Sequence, residues 1–421
     1  MEQKSLETKQ RFALLPIFLT VFIDLIGIGI IIPILAVLFL QVHNGILPES
    51  YSLATRTILL GALIASYPLM QFFGAPLLGG LSDKYGRKKM LIISLTGSCL
   101  GYLLFGIGVA TKNVPLLFLS RIIDGFTGGN ISIALAAIAD ISTKKDKAKN
   151  FGLIGMAFGL GFILGPFIGG KLSDNTLVPW FTFATPFWFA AALSFANIVL
   201  FIFFFKETLK TKIDTKISIL TGFRNIKKAW NMADLRIAFI VTFLLTLGFT
   251  FYTQFFQVYL IQTFSYTQSD IGNYFAYVGL CIALTQGVLT RIIGKKYLPE
   301  QILTITPLIL AIAIFSQIIP EQSYFLYFIT PFIAIGQGLT YPNTTALISN
   351  LADEKSQGEI LGINQSIQAL GMAIPPIIAG IIVSLNKHLP VIIASCIIFI
   401  SWIVFLTLFK KKTELFHEVE E

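Results

Sequence analysis

The stretch Gly79-Gly-Leu-Ser-Asp83-Lys-Tyr-Gly86-Arg87-Lys88 returns 208 residues later as Gly287-Val-Leu-Thr-Arg291-Ile-Ile-Gly294-Lys295-Lys296. Both glycines of that spacing, the leucine and two basic positions are kept, while Asp83 gives way to Arg291. A longer correspondence runs at an offset of 210, where Gly152, Gly161, Gly165-Pro166 and Gly169-Gly170 match Gly362, Gly371, Pro375-Pro376 and Ala379-Gly380. Two coincidences at nearly one offset indicate a chain built as two related halves. In each half the short motif separates two long apolar runs, so the repeated unit is a set of helices in lipid.

Composition agrees. Of 421 residues, 55% are hydrophobic and 13% charged, and a mean hydropathy of +0.78 leaves too little polar surface for a soluble chain of this length. A helix needs about 20 residues to cross the ~30 Å hydrocarbon core. Runs of that kind predict spans near 12–41, 57–79, 90–110, 115–140, 151–172 and 182–205, then 236–261, 271–293, 302–319, 324–349, 358–384 and 389–409. The expected fold is an all-α membrane protein with twelve transmembrane helices in two six-helix pseudo-symmetric bundles. Residues 1–205 form the N-terminal bundle, 206–235 a cytoplasmic linker and 236–421 the C-terminal bundle. Within the linker, Ile217–Leu220 and Phe223–Trp230 could form a short amphipathic helix on the membrane surface, or the segment could be a flexible tether. The first apolar run is too long for the core of a cleavable signal and lacks a small-residue cleavage site after it.

The net charge of +9 suggests nucleic acid only until the charges are placed. With the N-terminus inside, 26 of the 31 Lys and Arg residues fall in inner segments. Outer loops hold Arg56, Lys112, Lys171 and Lys387, and Arg121 lies within a span. This asymmetry puts both termini in the cytoplasm and requires an even number of spans; a bacterial inner membrane is the expected location. Cys99, Cys281 and Cys396 sit in apolar segments without CxxC spacing, and His43, His388 and His417 lie in loops or the tail. No metal or cofactor is expected. No nucleophile–base set and no P-loop occur, which speaks against an enzyme and against ATP-driven transport. Repeated six-helix halves are a transporter design. The expected partners are a small-molecule substrate, protons and the lipid bilayer, with no nucleic acid, and the chain is expected to be a monomer.

Three motifs carry a resemblance over essentially the whole chain. Gly79-x-Leu81-x-Asp83-Lys84-x-Gly86-Arg87-Lys88 follows the second span, Leu117-x3-Arg121-x3-Gly125 lies in the fourth, and Gly152-x8-Gly161-x3-Gly165-Pro166-x2-Gly169-Gly170 fills the fifth. In these the chain resembles the major facilitator superfamily, and within it the twelve-helix drug:proton antiporters. The first span, Phe22-Ile-Asp24-Leu-Ile-Gly27-Ile-Gly29 through Pro33, is similar to the tetracycline-efflux type. The resemblance implies proton-coupled export of amphipathic small molecules by alternating access; the alternative is an uptake carrier or symporter for a metabolite or siderophore. It also implies carboxylates in spans 3 and 9 and a histidine in span 8 for a metal–drug chelate. None is present, so a substrate other than tetracycline is expected.

Ionisable groups at bilayer depth are functional by default. At 1.5 Å per residue, Asp24 lies about 18 Å in from the inner side, and Arg121 and Asp124 about 9 Å and 13 Å in from the outer side. All three fall in one slab, and Arg121 and Asp124 share a helix face by i, i+3 spacing. Either Arg121 is shared between Asp24 and Asp124 as a proton-coupling set, or the charges form a static pair that orients spans 1 and 4. At the cytoplasmic side, Gly79, Asp83, Gly86, Arg87 and Asp140 form a candidate gate. Asp140 is the expected acidic partner of Arg87, and the resemblance implies that Asp83 faces the start of span 11. The helix 5 glycines and Pro166 make a small-residue face and a kink site. That face is either a packing seam or, as the resemblance implies, a gate between the halves. The second half holds no charge at comparable depth. Its candidates for a substrate cavity are Tyr252, Gln254, Gln257, Tyr277, Gln337, Tyr341, Asn343, Asn364 and Gln368.

Overall fold

The computed structural model describes residues 2–43, 45–142, 147–209, 218–233, 235–351 and 357–410, with side chains left undescribed through 13 and at 147–155, 158, 357–359 and 410. Every regular element among the described residues is helical. In order these are α1 (Glu2–Leu40), α2 (Leu53–Tyr85), α3 (Arg87–Ala110), α4 (Val114–Thr127), α5 (Asn130–Ile141), α6 (Lys147–Leu172), α7 (Thr185–Phe204) and α8 (Thr221–Asn231). There follow α9 (Arg236–Phe264), α10 (Gln268–Leu284), a π-helical turn over Thr285–Leu289, α11 (Thr290–Ile293), α12 (Pro299–Leu303), α13 (Thr306–Ser316), α14 (Tyr324–Asn350), α15 (Gln357–Ile382) and α16 (Leu389–Val404), which ends in a second π-helical segment, Phe405–Lys410.

Ten segments among the described residues are long and apolar enough to cross a bilayer. Prolines lie inside α1, α2, α6, α14 and α15. Membrane helices tolerate them because neighbouring groups take up the freed carbonyls. Helix ends follow local chemistry. Asn113 caps α4, its side-chain oxygen accepting from Leu116 N at 3.1 Å. Thr267 and Asp270 cap α10 reciprocally, Thr267 N donating to Asp270 Oδ2 at 3.0 Å and Asp270 N to Thr267 Oγ1 at 3.3 Å. Ser265 closes α9 in the left-handed region, with φ 54°.

Two expected spans are interrupted. The fourth, expected as one helix over 115–140, breaks at Gly128-Gly129 between α4 and α5. Two adjacent glycines hold a helix poorly, and side chains satisfy the exposed carbonyls: Gln71 Nε2 donates to Gly128 O at 2.9 Å, and Ser94 Oγ donates to Thr127 O. The ninth, expected as one helix over 302–319, splits between α12 and α13 ahead of Pro307, where the Trp402 indole donates to Thr304 O at 2.7 Å. In the linker, α8 covers most of the expected amphipathic stretch.

The chain divides into two compact units, one of residues 1–50, 66–221 and 267–276, the other of 51–65, 222–266 and 277–421. In the first, Ile17, Val21 and Leu25 of α1 meet Leu91 and Leu95 of α3, Ile133 and Ala137 of α5 and Phe201 of α7 in a buried core. Backbones come close in that unit between α1 and α6. A Cβ added at Gly161 would lie 2.6 Å from Leu25 Cβ, and one at Gly165 would lie 2.7 Å from Gly29 Cα. Gly161, Gly165 and Gly169 repeat every four residues, so one α6 face is bare enough for the α1 backbone to lie directly on it. Gly170 faces α10 instead, where an added Cβ would lie 2.7 Å from Gln268 O; there Lys171 Nζ donates to Ser269 Oγ at 2.8 Å. In the second unit, Gly61 of α2 packs against Pro376 and Gly380 of α15.

Candidate functional site

In the first unit, α1, α2, α3 and α4 converge on a buried charged cluster. Asp24, Arg121 and Asp124 are 6%, 4% and 2% exposed. Arg121 Nη2 lies 3.3 Å from Asp124 Oδ2, one turn along the same helix. The guanidinium is held between two rings, 4.9 Å from the Phe105 centroid and 5.7 Å from that of Tyr67, a cation–π arrangement that gains from exclusion of water. Ser98 of α3 is the side-chain hydrogen-bonding neighbour of the Asp124 carboxyl. Gly101 of α3 lets α4 come this close, since a Cβ there would stand 2.7 Å from Asp124 Cβ.

Asp24 approaches from α1 and interacts electrostatically with Asp124, with Asn130 at the start of α5 as its polar neighbour. No ion pair joins it to Arg121 among the described contacts. The expected sharing of Arg121 is therefore replaced by an unequal arrangement. Asp124 holds the guanidinium because three residues of helix fix the two side chains on one face, whereas Asp24 must reach across from another helix. Several buried polar atoms remain without a hydrogen-bond partner: Asp24 Oδ2, Arg121 Nε and Asn130 Nδ2, while Arg121 Nη2 has its ion pair with Asp124 but no hydrogen bond. Buried polar groups are normally satisfied, so this cluster holds unused acceptor and donor capacity at one place. The break between α4 and α5 separates Asp124 from Asn130 and lets both turn toward Asp24.

The Gly79–Lys88 motif forms a second cluster in the same unit. Arg87 is buried, with Nη1 2.5 Å from Asp83 Oδ1 and Nε donating to Asp140 Oδ2 at 3.1 Å. Arg87 Nη1 also donates to Ser82 Oγ at 2.6 Å. Gly86 joins α2 to α3 at φ 109°, a conformation an L side chain rarely adopts. Gly79 has nothing within 4 Å of an added Cβ, so close packing does not require a glycine there. Gly152 lies near the start of α6, and its surroundings are outside the described residues.

Sequence reasoning missed Tyr67, Ser98, Tyr102 and Asn130 around the buried acids. Tyr102 is visible only in three dimensions: its ring fills the space over Gly27 of α1. Glu207 and Thr208 of the linker were also missed. Glu207 accepts from Arg87 N at 3.0 Å and Lys88 N at 3.1 Å, and Thr208 Oγ1 donates to Asp140 Oδ2 at 3.3 Å. The legible signal was the isolated carboxylate in Lys206-Glu207-Thr208, at the end of a span otherwise followed by basic residues.

Among the candidate cavity residues of the second unit, the Tyr341 hydroxyl donates to Gln368 Oε1 at 2.9 Å, joining α14 to α15. Tyr277 lies against Tyr327, with centroids 5.3 Å apart. Tyr252 is buried against Phe256 at 4.8 Å. Gln257 and Asn343 spend their amide donors on their own helices, at Gln254 O and Leu339 O. Asn364 is buried with Oδ1 unpartnered. Gln254 and Gln337 are partly buried.

The sequence matches the Major Facilitator Superfamily over residues 17–374, with a further match over 238–419. The chain belongs to the Major Facilitator Superfamily. It is a multi-pass membrane transporter, as members of the superfamily are, and not an enzyme. It is 30% identical over 393 residues to Multidrug resistance protein 2 of Bacillus subtilis (strain 168), covering 90% of this chain and 91% of that protein. It is 29% identical over 372 residues to the class C Tetracycline resistance protein of Escherichia coli, covering 88% and 89%. Among solved structures, the human organic anion transporter MFSD10 (TETRAN) superposes with a TM-score of 0.73 at 22% identity, over 94% of this chain and 99% of that one. The D-xylose-proton symporter gives 0.76 at 15% identity, over 94% and 97%. At those identities the structures speak for the fold alone.

Proposed function

We propose that this superfamily member is a proton-coupled antiporter that exports amphipathic small molecules by alternating access. It would work as a monomer of twelve spans in two six-helix bundles, 1–205 and 236–421, in a bacterial inner membrane with both termini cytoplasmic. The observation that carries the proposal is the buried Asp24–Arg121–Asp124 cluster, in which Asp124 pairs with the one guanidinium and Asp24 lies within electrostatic reach of Asp124. With both acids ionised the cluster carries one net negative charge; taking up a single proton neutralises it. A buried net charge is costly, so proton and cationic or polarisable substrate compete to neutralise the same place. Relatives named for multidrug, tetracycline and quinolone resistance support the export direction. The candidate cavity residues Tyr252, Gln254, Gln257, Tyr277, Gln337, Tyr341, Asn343, Asn364 and Gln368 supply aromatic and amide contacts suited to amphipathic molecules.

The motif residues Asp83, Arg87 and Asp140, with Gly79 and Gly86, serve in this reading as the cytoplasmic gate. Of the antiporter-motif residues Gly152, Gly161, Gly165, Pro166, Gly169 and Gly170, it is Gly161, Gly165 and Gly169 that form a seam against α1, the helix that bears Asp24. The test uses inverted membrane vesicles with an acidic interior. An antiporter accumulates a dye substrate in them as protons leave, whereas a symporter does not. Asp24→Asn and Asp124→Asn should each abolish gradient-driven accumulation; full coupled transport in both variants would overturn the proton role.

A further inference from the structure

The contacts at the start of the linker go beyond the gate just described, although their role rests on that reading of Asp83, Arg87 and Asp140. One carboxylate, Glu207, accepts four backbone hydrogen bonds. Arg87 N and Thr208 N reach Oε1 at 3.0 and 2.9 Å, Leu209 N reaches Oε1 at 3.0 Å, and Lys88 N reaches Oε2 at 3.1 Å. The first two donors of α3 are orphans that the helix cannot satisfy itself, and an anion there also meets the positive end of the helix dipole. Gly86 stands beside the carboxylate, which occupies the space an added Cβ would need. Thr208 then bonds Asp140, the same oxygen that receives Arg87 Nε. Lys88 Nζ donates to Ile202 O at 2.8 Å and fixes the end of α7 to the same turn.

We propose that Glu207 is a positioning residue of the cytoplasmic gate. Its carboxylate fixes the α2–α3 turn so that Arg87 points at Asp83 and Asp140, and it makes the first residues of the linker part of that latch. Arg87 is the residue through which it acts. Its backbone N–H is held by Glu207 while its guanidinium holds the two aspartates, so the direction of the side chain is set from the main chain outward. The linker residues 208 and 209 are folded back on the same carboxylate. Breaking the clasp therefore releases the linker origin and the Arg87 backbone together.

The test uses the full chain reconstituted in proteoliposomes, with amide hydrogen exchange followed by mass spectrometry and transport measured on the same samples. Glu207→Ala should speed exchange at Arg87 and Lys88 by about tenfold or more, as expected for lost bonds to a charged acceptor. The later turns of α3 should stay protected, and maximal transport rate should fall with little change in the substrate KM. Glu207→Gln, nearly isosteric but with one acceptor replaced by a donor, should show the same pattern, and Glu207→Asp should restore part of the rate. Unchanged exchange at 87–88 would overturn the clasp. Faster exchange with unchanged transport would overturn its role in the gate. Asp83→Asn separates this from the gate reading: if it too leaves transport intact, the gate itself is wrong; if it impairs transport while Glu207→Gln does not, only the role of Glu207 falls.

Discussion

Replacing Gly165 by alanine probes how closely α1 lies on α6. A Cβ at that position would stand 2.7 Å from Gly29 Cα, 2.8 Å from the Ile26 carbonyl oxygen and 3.0 Å from the Gly29 carbonyl carbon. All three are backbone atoms, so no side-chain rotation relieves them. Carbon atoms rest about 3.5–4.0 Å apart, so the two helices must part by roughly 1 Å along the seam. Overpacking of this kind costs about 1–3 kcal/mol, offset in part by the ~1 kcal/mol that alanine gains over glycine in a helix interior. Gly79 and Gly362 are the controls, since an added Cβ there meets nothing within 4 Å. Thermal unfolding of the full chain in detergent, followed by loss of the monodisperse peak on size exclusion, should place Gly165→Ala below the parent protein. Gly79→Ala and Gly362→Ala should fall at or above it. Gly29→Ala should mimic Gly165→Ala, because its Cβ would lie 2.9 Å from Gly165 Cα. The double variant should lose less than the two single losses added, since one separation serves both. Equal melting of Gly165→Ala and Gly79→Ala would refute the claim that backbone contact closes this seam.

Removing the Arg121 charge with Arg121→Gln leaves Asp124 buried without its cation, a loss of about 3–5 kcal/mol. Adding Asp124→Asn should recover part of it in the same melting assay, and an equal loss in single and double variants would count against the pair. Asp140→Asn should cost only about 1 kcal/mol or less, because Asp140 and Asp83 are 22% and 32% exposed and solvent screens them; a loss as large as that of Arg121→Gln would show the latch to be a structural core. Outside the spans, the Thr176 hydroxyl and amide donate to Asp174 and hold its carboxyl below its ordinary value of 3.8, against a smaller opposing effect of burial. The folded value lies below the unfolded one, so this stabilisation is present above about pH 3.8 and is lost as pH falls through the folded value. Thr176→Ala should move the acid limb of the melting-against-pH curve to higher pH, and an unmoved limb would show that the bond does not hold the charge.

The long apolar helices were legible because apolar length is a property of the chain read locally. The breaks were legible only in part. Gly128-Gly129 and Pro307 are visible as weak points, but a glycine pair in an apolar run can equally remain helical. What decides it is whether Gln71 and Ser94 stand ready to take the freed carbonyls, and those residues arrive from other helices. The Arg121–Asp124 pair follows from i, i+3 spacing. The expected depth of Asp24 does not fix the rotation of α1 about its axis, so its neighbours Asp124 and Asn130 could not be read off.

The repeated stretch from Gly79 to Lys88 shows where the division lies. Its residues determined a turn between two long apolar runs and the basic charge of that turn, with Asp83 and Arg87 four residues apart. These depend on covalent spacing and on the partition of charge between lipid and water. Asp140 was already the expected partner of the Arg87 side chain, and the structure joins the two; the tertiary structure alone decided that Glu207, 120 residues away from Arg87 in sequence, takes its backbone N–H. A carboxylate in a loop has many donors within reach. Which of them it meets depends on how α3, α5 and α7 pack side by side, and packing is settled by the whole set of contacts at once.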